Sequence, residues 1–464
     1  MTVSRKEIFE SLIKRRLFEL ASYFEVPVHS HDSKEKMVGS LSRSRSLTRK
    51  DVLSRLTKTE LQKIVRNSTE SIPSKRLTKT DLLVSILNDS RFTLKTKIIC
   101  SLKKQGFKIQ NDEVKEPPAQ EKSDLRDLHR LAVQHKRDIA KKGLLKRQEV
   151  LLEYVASGNE VSVDQIKPRL VEVLPNSMEE LLFRYLTLTW SIPVSSGYGR
   201  RLRFIIFDES NSKVMGLIGA GDPVFALKPR DQWIGWNSED RKLRCDKVMD
   251  LFALGAIPPY SHLLCGKLIA MLATSTEFRR AFKKKYNGHT TLIKKKVIDG
   301  NLALLTTTSA LGRSSVYNRV KFKQRKLLHS VGYTQGSGDF QFLNGLYDEM
   351  TAFAGEHFAP SAKHESWGSG FRNRREVVRK CLDYVNLSPD LLYHGVNREV
   401  FVIPLARNTK SFLSGKSNKL RFYGQSASDL FEFFRERWLI PRADRDEKFR
   451  GFRKEELMIW PTSD

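Results

Sequence analysis

The sequence predicts an α+β protein, a mixed-sheet core preceded by an all-helical, basic N-terminal region. Three observations carry this. Apolar residues in the first hundred positions recur at helical spacing, alternating and β-branched runs begin only near residue 200, and the polar stretch QNDEVKEPPAQEKSD (110–124) between them reads as a linker. A chain of 464 residues is too long for one small domain. The changes of texture divide it into a helical region (1–104), a linker and helical arm (105–165), a mixed α/β core (166–360) and a C-terminal α/β extension packed on that core (361–464).

Residues 1–104 hold 23 Lys plus Arg against 11 Asp plus Glu, a net +12. Two similar units run through them. In each, an apolar helical stretch (Leu17, Leu20, Phe24; Leu61, Ile64, Val65) precedes a short extended segment and a second helix (Met37, Val38, Leu41; Leu82, Leu83, Ile86). Asp32 or Ser33 is the expected cap of the first of these second helices, and Thr78 or Thr80 of its counterpart. The helix, extended segment, helix order resembles the SAP-type DNA-binding module. That resemblance implies that Lys34, Lys36, Lys75, Arg76 and Lys79 face a nucleic-acid backbone. The alternative is a pair of helical hairpins that dock onto protein. Ser40–Ser46 reads as a biased linker, and Leu125–Val155 as a helical arm joining the N-terminal part to the core.

In the core, Leu202–Phe207 and Val214–Ile218 form a hairpin across a polar turn at Asn211. A helix is expected from Glu239 to Phe252. Pro258 and Pro259 then turn the chain into a helix over Ser261–Ala273. Further strands are expected at Leu302–Thr307, Tyr333–Phe342 and Glu399–Ile403, with helices over Glu376–Val385 and Ala427–Trp438.

Several long strings in this region resemble the DUF4338 family of Druantia anti-phage defence proteins. They include FRYLTLTWSIPVSSGYGRRLRFIIFDES (183–210), MDLFALGAIPPYSHLLCGKLIAMLATS (249–275), TTTSALGRSSVYNRVKF (306–322), VGYTQGSGDFQF (331–342) and GVNREVFVIPLARN (395–408). The resemblance runs from about Ile166 to Arg442. It implies a place in a bacterial defence system beside other Druantia proteins, a large helicase-like subunit among them, and it brings no catalytic residues. The same region is distantly similar to a GNAT-type acyltransferase core. Such enzymes cradle pyrophosphate on glycines and bare N–H groups at a helix N-terminus. Here the segment is PPYSHLLCGKL, so coenzyme A chemistry is not expected.

The net charge of +29 exceeds what solubility requires and points to a polyanionic partner. Four scattered cysteines, with no CxxC pairing, fit a reducing compartment. With no apolar run of 18 residues, neither a signal peptide nor a membrane span is expected, and the placement is cytoplasmic. The chain has no GxxxxGK[ST] loop, so ATP hydrolysis would come from a partner. No metal site and no cofactor are expected. His29, His31 and Asp32 read as a solvated loop, and Asp208, Glu209, Asp222, Asp231, Asp240 and Asp250 match no nuclease pattern.

The candidate nucleic-acid contacts lie elsewhere. Thr308, Ser309, Arg313, Ser314, Ser315, Tyr317, Asn318 and Arg319 follow an apolar strand, where hydroxyls and arginines suit phosphate oxygens. The bland alternative is a loop capped by its own hydroxyls. Tyr198, Arg200, Arg201, Tyr260 and Lys267 are assigned to the same groove, tyrosine to stack on a base and the cations to neutralise phosphate. Lys283, Lys284, Lys285 and Lys294, Lys295, Lys296 bracket the turn YNGHTT as a projecting basic hairpin. The expected function is a nucleic-acid-binding subunit, on DNA or alternatively RNA, without independent catalysis. The rival readings are a nuclease, an acyltransferase-like enzyme, or an assembly adaptor that joins protein partners or copies of itself.

Overall fold

The structure is a computed structural model that describes residues 5–44, 47, 49–68, 77–86, 90–110, 113–116, 121–195, 199–291, 295–359 and 371–461. It divides into two compact units, Met1–Pro117 with Gly338–Tyr393, and Pro118–Ser337 with His394–Asp464. These are not the four expected segments. The stretch Gly338–Tyr393 joins the N-terminal helices, because Leu346–His357 and Phe371–Tyr384 pack with each other and the former with Ser90–Lys104.

In the first unit, helices Lys14–Tyr23 and Lys34–Arg43 flank an extended connector, and Lys58–Ser68 precedes Lys79–Ile86. Their apolar stripes form one core: Leu17, Leu20, Met37, Leu41, Leu61, Ile64, Leu82 and Ile86 are all buried. The caps resolve to Ser33, whose Oγ accepts from Lys36 N at 3.2 Å, and Thr78, which exchanges hydrogen bonds with Asp81. Ser40–Arg43, expected as linker, is the last turn of its helix. A small hairpin, Lys108–Gln110 with Glu113–Glu116, follows the helices.

The second unit is built on a seven-stranded mixed sheet: β1 Pro168–Glu172, β2 Arg201–Asp208, β3 Lys213–Gly221, β4 Val248–Ala256, β5 Leu304–Thr308, β6 His329–Tyr333 and β7 Glu399–Pro404. Their spatial order is β6-β7-β5-β4-β3-β2-β1. Every neighbouring pair is antiparallel except β4 and β5, which are parallel. Helices cover both faces. Phe204, Met215, Met249, Leu305 and Phe401 pack with helices Cys265–Leu272, Thr276–Tyr286 and Ala427–Phe434. The alternate positions Ile205, Val214, Val248, Leu304 and Val402 face the other side, against Met178–Leu188 and Lys228–Ile234.

Several expectations are corrected here. The helix ends at Arg244, and Val248–Ala256 is strand β4, buried on both faces; a continuous apolar run inside a sheet has no period to distinguish it from a buried helix. β7 was placed in an extension, yet it lies between β5 and β6 within the sheet. The late strand is His329–Tyr333, and Phe340–Phe342 is a 3₁₀ turn. β1 was not anticipated.

Two bulges shape the centre. Met215 on β3 and Phe252 on β4 each interrupt the register and switch which face the following residues meet. Gly219 lies opposite the second bulge: a Cβ there would stand 2.8 Å from the Phe252 ring, so glycine is what the bulge requires. Beyond the bulge β4 runs on without β5, whose ladder ends at Asp250 and Thr306. The parallel pair therefore opens toward the C-terminal ends of both strands.

Candidate nucleic-acid interface

β5 ends inside this opening, and the hydroxyls of Thr306 and Thr307 near its end are turned into protein. Thr306 donates to Asp250 Oδ1 at 2.7 Å, and Thr307 donates to the Leu251 carbonyl at 3.0 Å. Tyr317 Oη reaches the Leu254 carbonyl at 3.3 Å, and its ring packs edge-on against Phe401. Burial pushes that phenol up to about 12.

The organising group is Glu399, a buried carboxylate on β7. Its Oε2 accepts from Ser314 N at 2.9 Å, and Asn318 Nδ2 donates to both oxygens at 3.0 and 3.1 Å. Burial opposes the charge, but hydrogen bonds from Asn318, Ser314 N and Ser330 hold the carboxyl below its ordinary range. Of the expected phosphate cradle, Ser309 is buried, Thr308, Ser314, Tyr317 and Asn318 are half-buried, and Arg313, Ser315 and Arg319 remain exposed. A carboxylate at the centre of the loop repels a phosphate, so the hydroxyl cluster supports the loop and leaves the two arginines to solvent.

Glu399→Gln tests that role. Removing the charge that these donors share should cost about 1–2 kcal/mol, read from urea midpoints. A carboxyl held below its ordinary range stabilises at neutral pH and loses that contribution on acidification. The difference between wild type and variant should therefore shrink as pH falls through the carboxylate range.

The remaining candidates divide sharply. Arg200 forms an ion pair with Asp222 at 2.6 Å and donates to the Asp246 and Val248 carbonyls, so it clasps strand ends together. Tyr260, expected to stack on a base, is fully buried, with its hydroxyl donating to Asp208 at 2.9 Å; it has no face to offer. Arg201 is exposed, with its backbone tied to Tyr286 Oη. In the first unit, Lys34 bonds the Glu10 carbonyl, Lys36 pairs with Asp32, and Lys79 bonds the Ser54 carbonyl, so all three hold their own fold. Lys75, Arg76, Tyr198 and Lys294 lie outside the described residues.

The first lysine triplet is not the arm of a hairpin: Lys283–Lys285 form the last turn of helix Thr276–Tyr286, and the chain beyond it makes a bridge between Thr290 and Val297. Lys285 pairs with Glu172 at 2.9 Å and Lys296 with Asp246 at 2.9 Å, which leaves Lys283, Lys284 and Lys295 exposed. Lys267 and Arg319 are brought together with a residue that sequence reasoning missed. Lys267 Nζ lies 4.8 Å from the Trp438 ring centroid, and Arg437 lies over the same ring at 5.6 Å. Burial, then Arg319 and Arg437, push the Lys267 ammonium below its ordinary range. Among the described residues none of these three cations is ion-paired. Trp438 stands on a π-turn, Arg435–Leu439, a device found often at functional sites.

The nuclease candidates are engaged elsewhere: Asp208 with Lys167 N, Ser210 and Tyr260, Asp222 with Arg200, Asp231 with Arg230 and Arg241, and Asp250 with Thr306. Among the described residues no group of three or more His, Cys, Asp or Glu is arranged to hold a metal ion. No described helix is long and apolar enough to cross a membrane.

Comparison with known proteins gives two matches. The family model described as Druantia protein DruA matches residues 119–415. A curated Druantia protein DruA from Escherichia coli (strain UMEA 4076-1) is 38% identical over 372 residues, which cover 80% of this chain and 92% of that protein. No solved structure matches.

Proposed function

The chain belongs to the DruA family of Druantia proteins, and from that premise we propose that it is the nucleic-acid-binding subunit of a Druantia anti-phage defence assembly. It grips the phosphate backbone of DNA, and a helicase-like Druantia partner supplies ATP hydrolysis. The observation that carries this reading is Lys267 and Arg437 on the Trp438 ring, with the charge of Arg319 reaching Lys267. Like charges gathered around Lys267, with no ion-pair partner among the described residues, raise each other's energy, and a phosphate oxygen relieves it. Exposed Arg313, Lys283, Lys284 and Lys295 add to the same field.

Fluorescence anisotropy with labelled duplex DNA, single-stranded DNA and RNA tests it. Each neutralised phosphate releases counterions, so an interface of about 6–10 contacts loses roughly 10³–10⁵ in affinity between about 50 and 200 mM salt. No binding to any of the three at low salt overturns the proposal.

An acyltransferase-like reading has one observation in its favour, the order of elements around a central parallel pair that opens. The turn where pyrophosphate would sit speaks against catalysis. The N–H groups of Ser261, His262, Leu263, Leu264, Cys265 and Lys267 all bond carbonyls of their own turn, and Pro258 and Pro259 have none to offer. The GNAT-like plan is therefore proposed as scaffold alone.

A further inference from the structure

A group of arginines in the second unit, one of them within the family string 395–408, was given no role by the sequence. It is organised by Arg421–Gln425, which runs beside Ala406 and Arg407: Ala406 and Phe422 form a bridge, and Arg407 N donates to the Arg421 carbonyl at 2.9 Å. Arg279, from helix Thr276–Tyr286, lays its guanidinium 4.1 Å from the Phe422 ring centroid and donates to the Tyr423 carbonyl at 3.3 Å. Arg325, from the hairpin pairing Lys321–Phe322 with Arg325–Lys326, lies 3.6 Å from the Tyr423 ring centroid and donates to Gln425 Oε1 at 2.9 Å. Gln425 is buried, and its amide is oriented by donation to Thr274.

Two guanidiniums thus rest on one five-residue segment to which Arg421 belongs and which Arg407 joins through its backbone, and among the described residues none of the four arginines is ion-paired. The nearby acids are committed elsewhere. Glu277 accepts from Ala427 N at 2.9 Å, and Asp429 accepts from Ser426 N and Oγ, where it helps cap helix Ala427–Phe434. Burial pushes both Arg279 and Arg325 below their ordinary range, with Arg280 and Arg407 adding to the effect. Arg279 Nε is buried with no hydrogen-bond partner. Glu277 is the one acid whose charge reaches Arg279, and neither Arg279 nor Arg325 has an ion-pair partner among the described residues; two half-buried cations stacked on rings without one are costly to the fold, which argues for an anion that arrives from outside.

The stacking also decides which part of that anion is met. With one face of each guanidinium against a ring, the planar N–H edges are what remain, and these match phosphate oxygens better than base faces. The hairpin is continuous with the Lys267 site. Phe322 packs edge-on against Phe433 at 5.4 Å, and Phe433 against Trp438 at 5.7 Å. We propose that Arg279, Arg325, Arg407 and Arg421 form a phosphodiester clamp that extends the nucleic-acid contact from Trp438 across the hairpin. This rests on the nucleic-acid reading above.

The test is Arg407→Gln/Arg421→Gln in the full chain, since both residues are exposed, with Lys141→Gln/Lys142→Gln, two exposed lysines given no part in the contact, as the comparison that keeps wild-type affinity. Expected are an unchanged melting midpoint, DNA affinity lower by about tenfold or more, and a log–log salt slope shallower by about two. A wild type that binds DNA beside a double arginine variant with the same affinity and slope overturns the clamp and leaves the wider reading standing. A wild type that binds no nucleic acid overturns both. Excess inorganic pyrophosphate is the remaining arm. Saturable binding of pyrophosphate to the wild type, lost in the arginine variant, would show a site for a small phosphorylated ligand and overturn the backbone assignment.

Discussion

Arg230→Ala is expected to lower the unfolding free energy by about 3–5 kcal/mol, the usual cost of breaking a buried ion pair from one side. Arg230 is fully buried in helix Lys228–Ile234. Its Nε and Nη2 both meet Asp231 Oδ1, at 2.8 and 2.6 Å, while Nη1 and Nη2 donate to the Val224 and Phe225 carbonyls. Truncation leaves those carbonyls without donors, opens a cavity beside Trp236, and leaves Asp231 to Arg241 and Leu227 N. Arg230→Met fills most of the volume and should recover part of the loss, which separates packing from charge. A urea midpoint for Arg230→Ala equal to that of wild type would show that the network contributes nothing.

The second large effect depends on pH. Asp250 on β4 is half-buried at the base of the opening between the parallel strands, and burial pushes its carboxyl up to about 6 despite the hydrogen bond from Thr306. A carboxyl raised in the folded state favours folding while protonated. Its contribution is complete below the ordinary aspartate range and is lost as pH rises through about 6. The shift corresponds to about 2–3 kcal/mol. Asp250→Asn should therefore match wild type near pH 4 and be the more stable protein near pH 8, by chemical denaturation at both. Equal stability of the two at the higher pH would show that the site admits water and leaves the charge solvated.

The outline of the fold was largely legible in the sequence. The β2–β3 hairpin, β5, β7 and most helices follow from periodicity and turn residues, because each shows a face or a stop within its own few residues. β4 was not legible as a strand, since VMDLFALGA is buried on both sides of the sheet and carries no alternation. The place of β7 between β5 and β6 was equally hidden, because pairing across about a hundred residues leaves no local mark.

The candidate interface was less legible, and the lysine triplets show why. A run of three lysines reads as a patch, but Glu172 and Asp246 each take one of them, and both acids arrive from distant segments. Arg279 and Arg325 sit within the basic stretches RRAFKKK and KFKQRK, Arg421 follows Lys419 and Arg407 follows an apolar strand, so nothing local sets these four apart from ordinary surface charge. Glu399 gave no signal either: its partners Ser314 and Asn318 lie 85 and 81 residues away.

What the sequence by itself determined is the charge of +29, the helical character of the N-terminal region, and the strings that identify the family. What only the tertiary structure decided is which cations are left to act. A cation's charge is a property of its residue type, but its compensation is a property of space. Coulomb attraction and hydrogen bonding act over a few ångströms, and the fold alone brings the acids to some basic residues and withholds them from others.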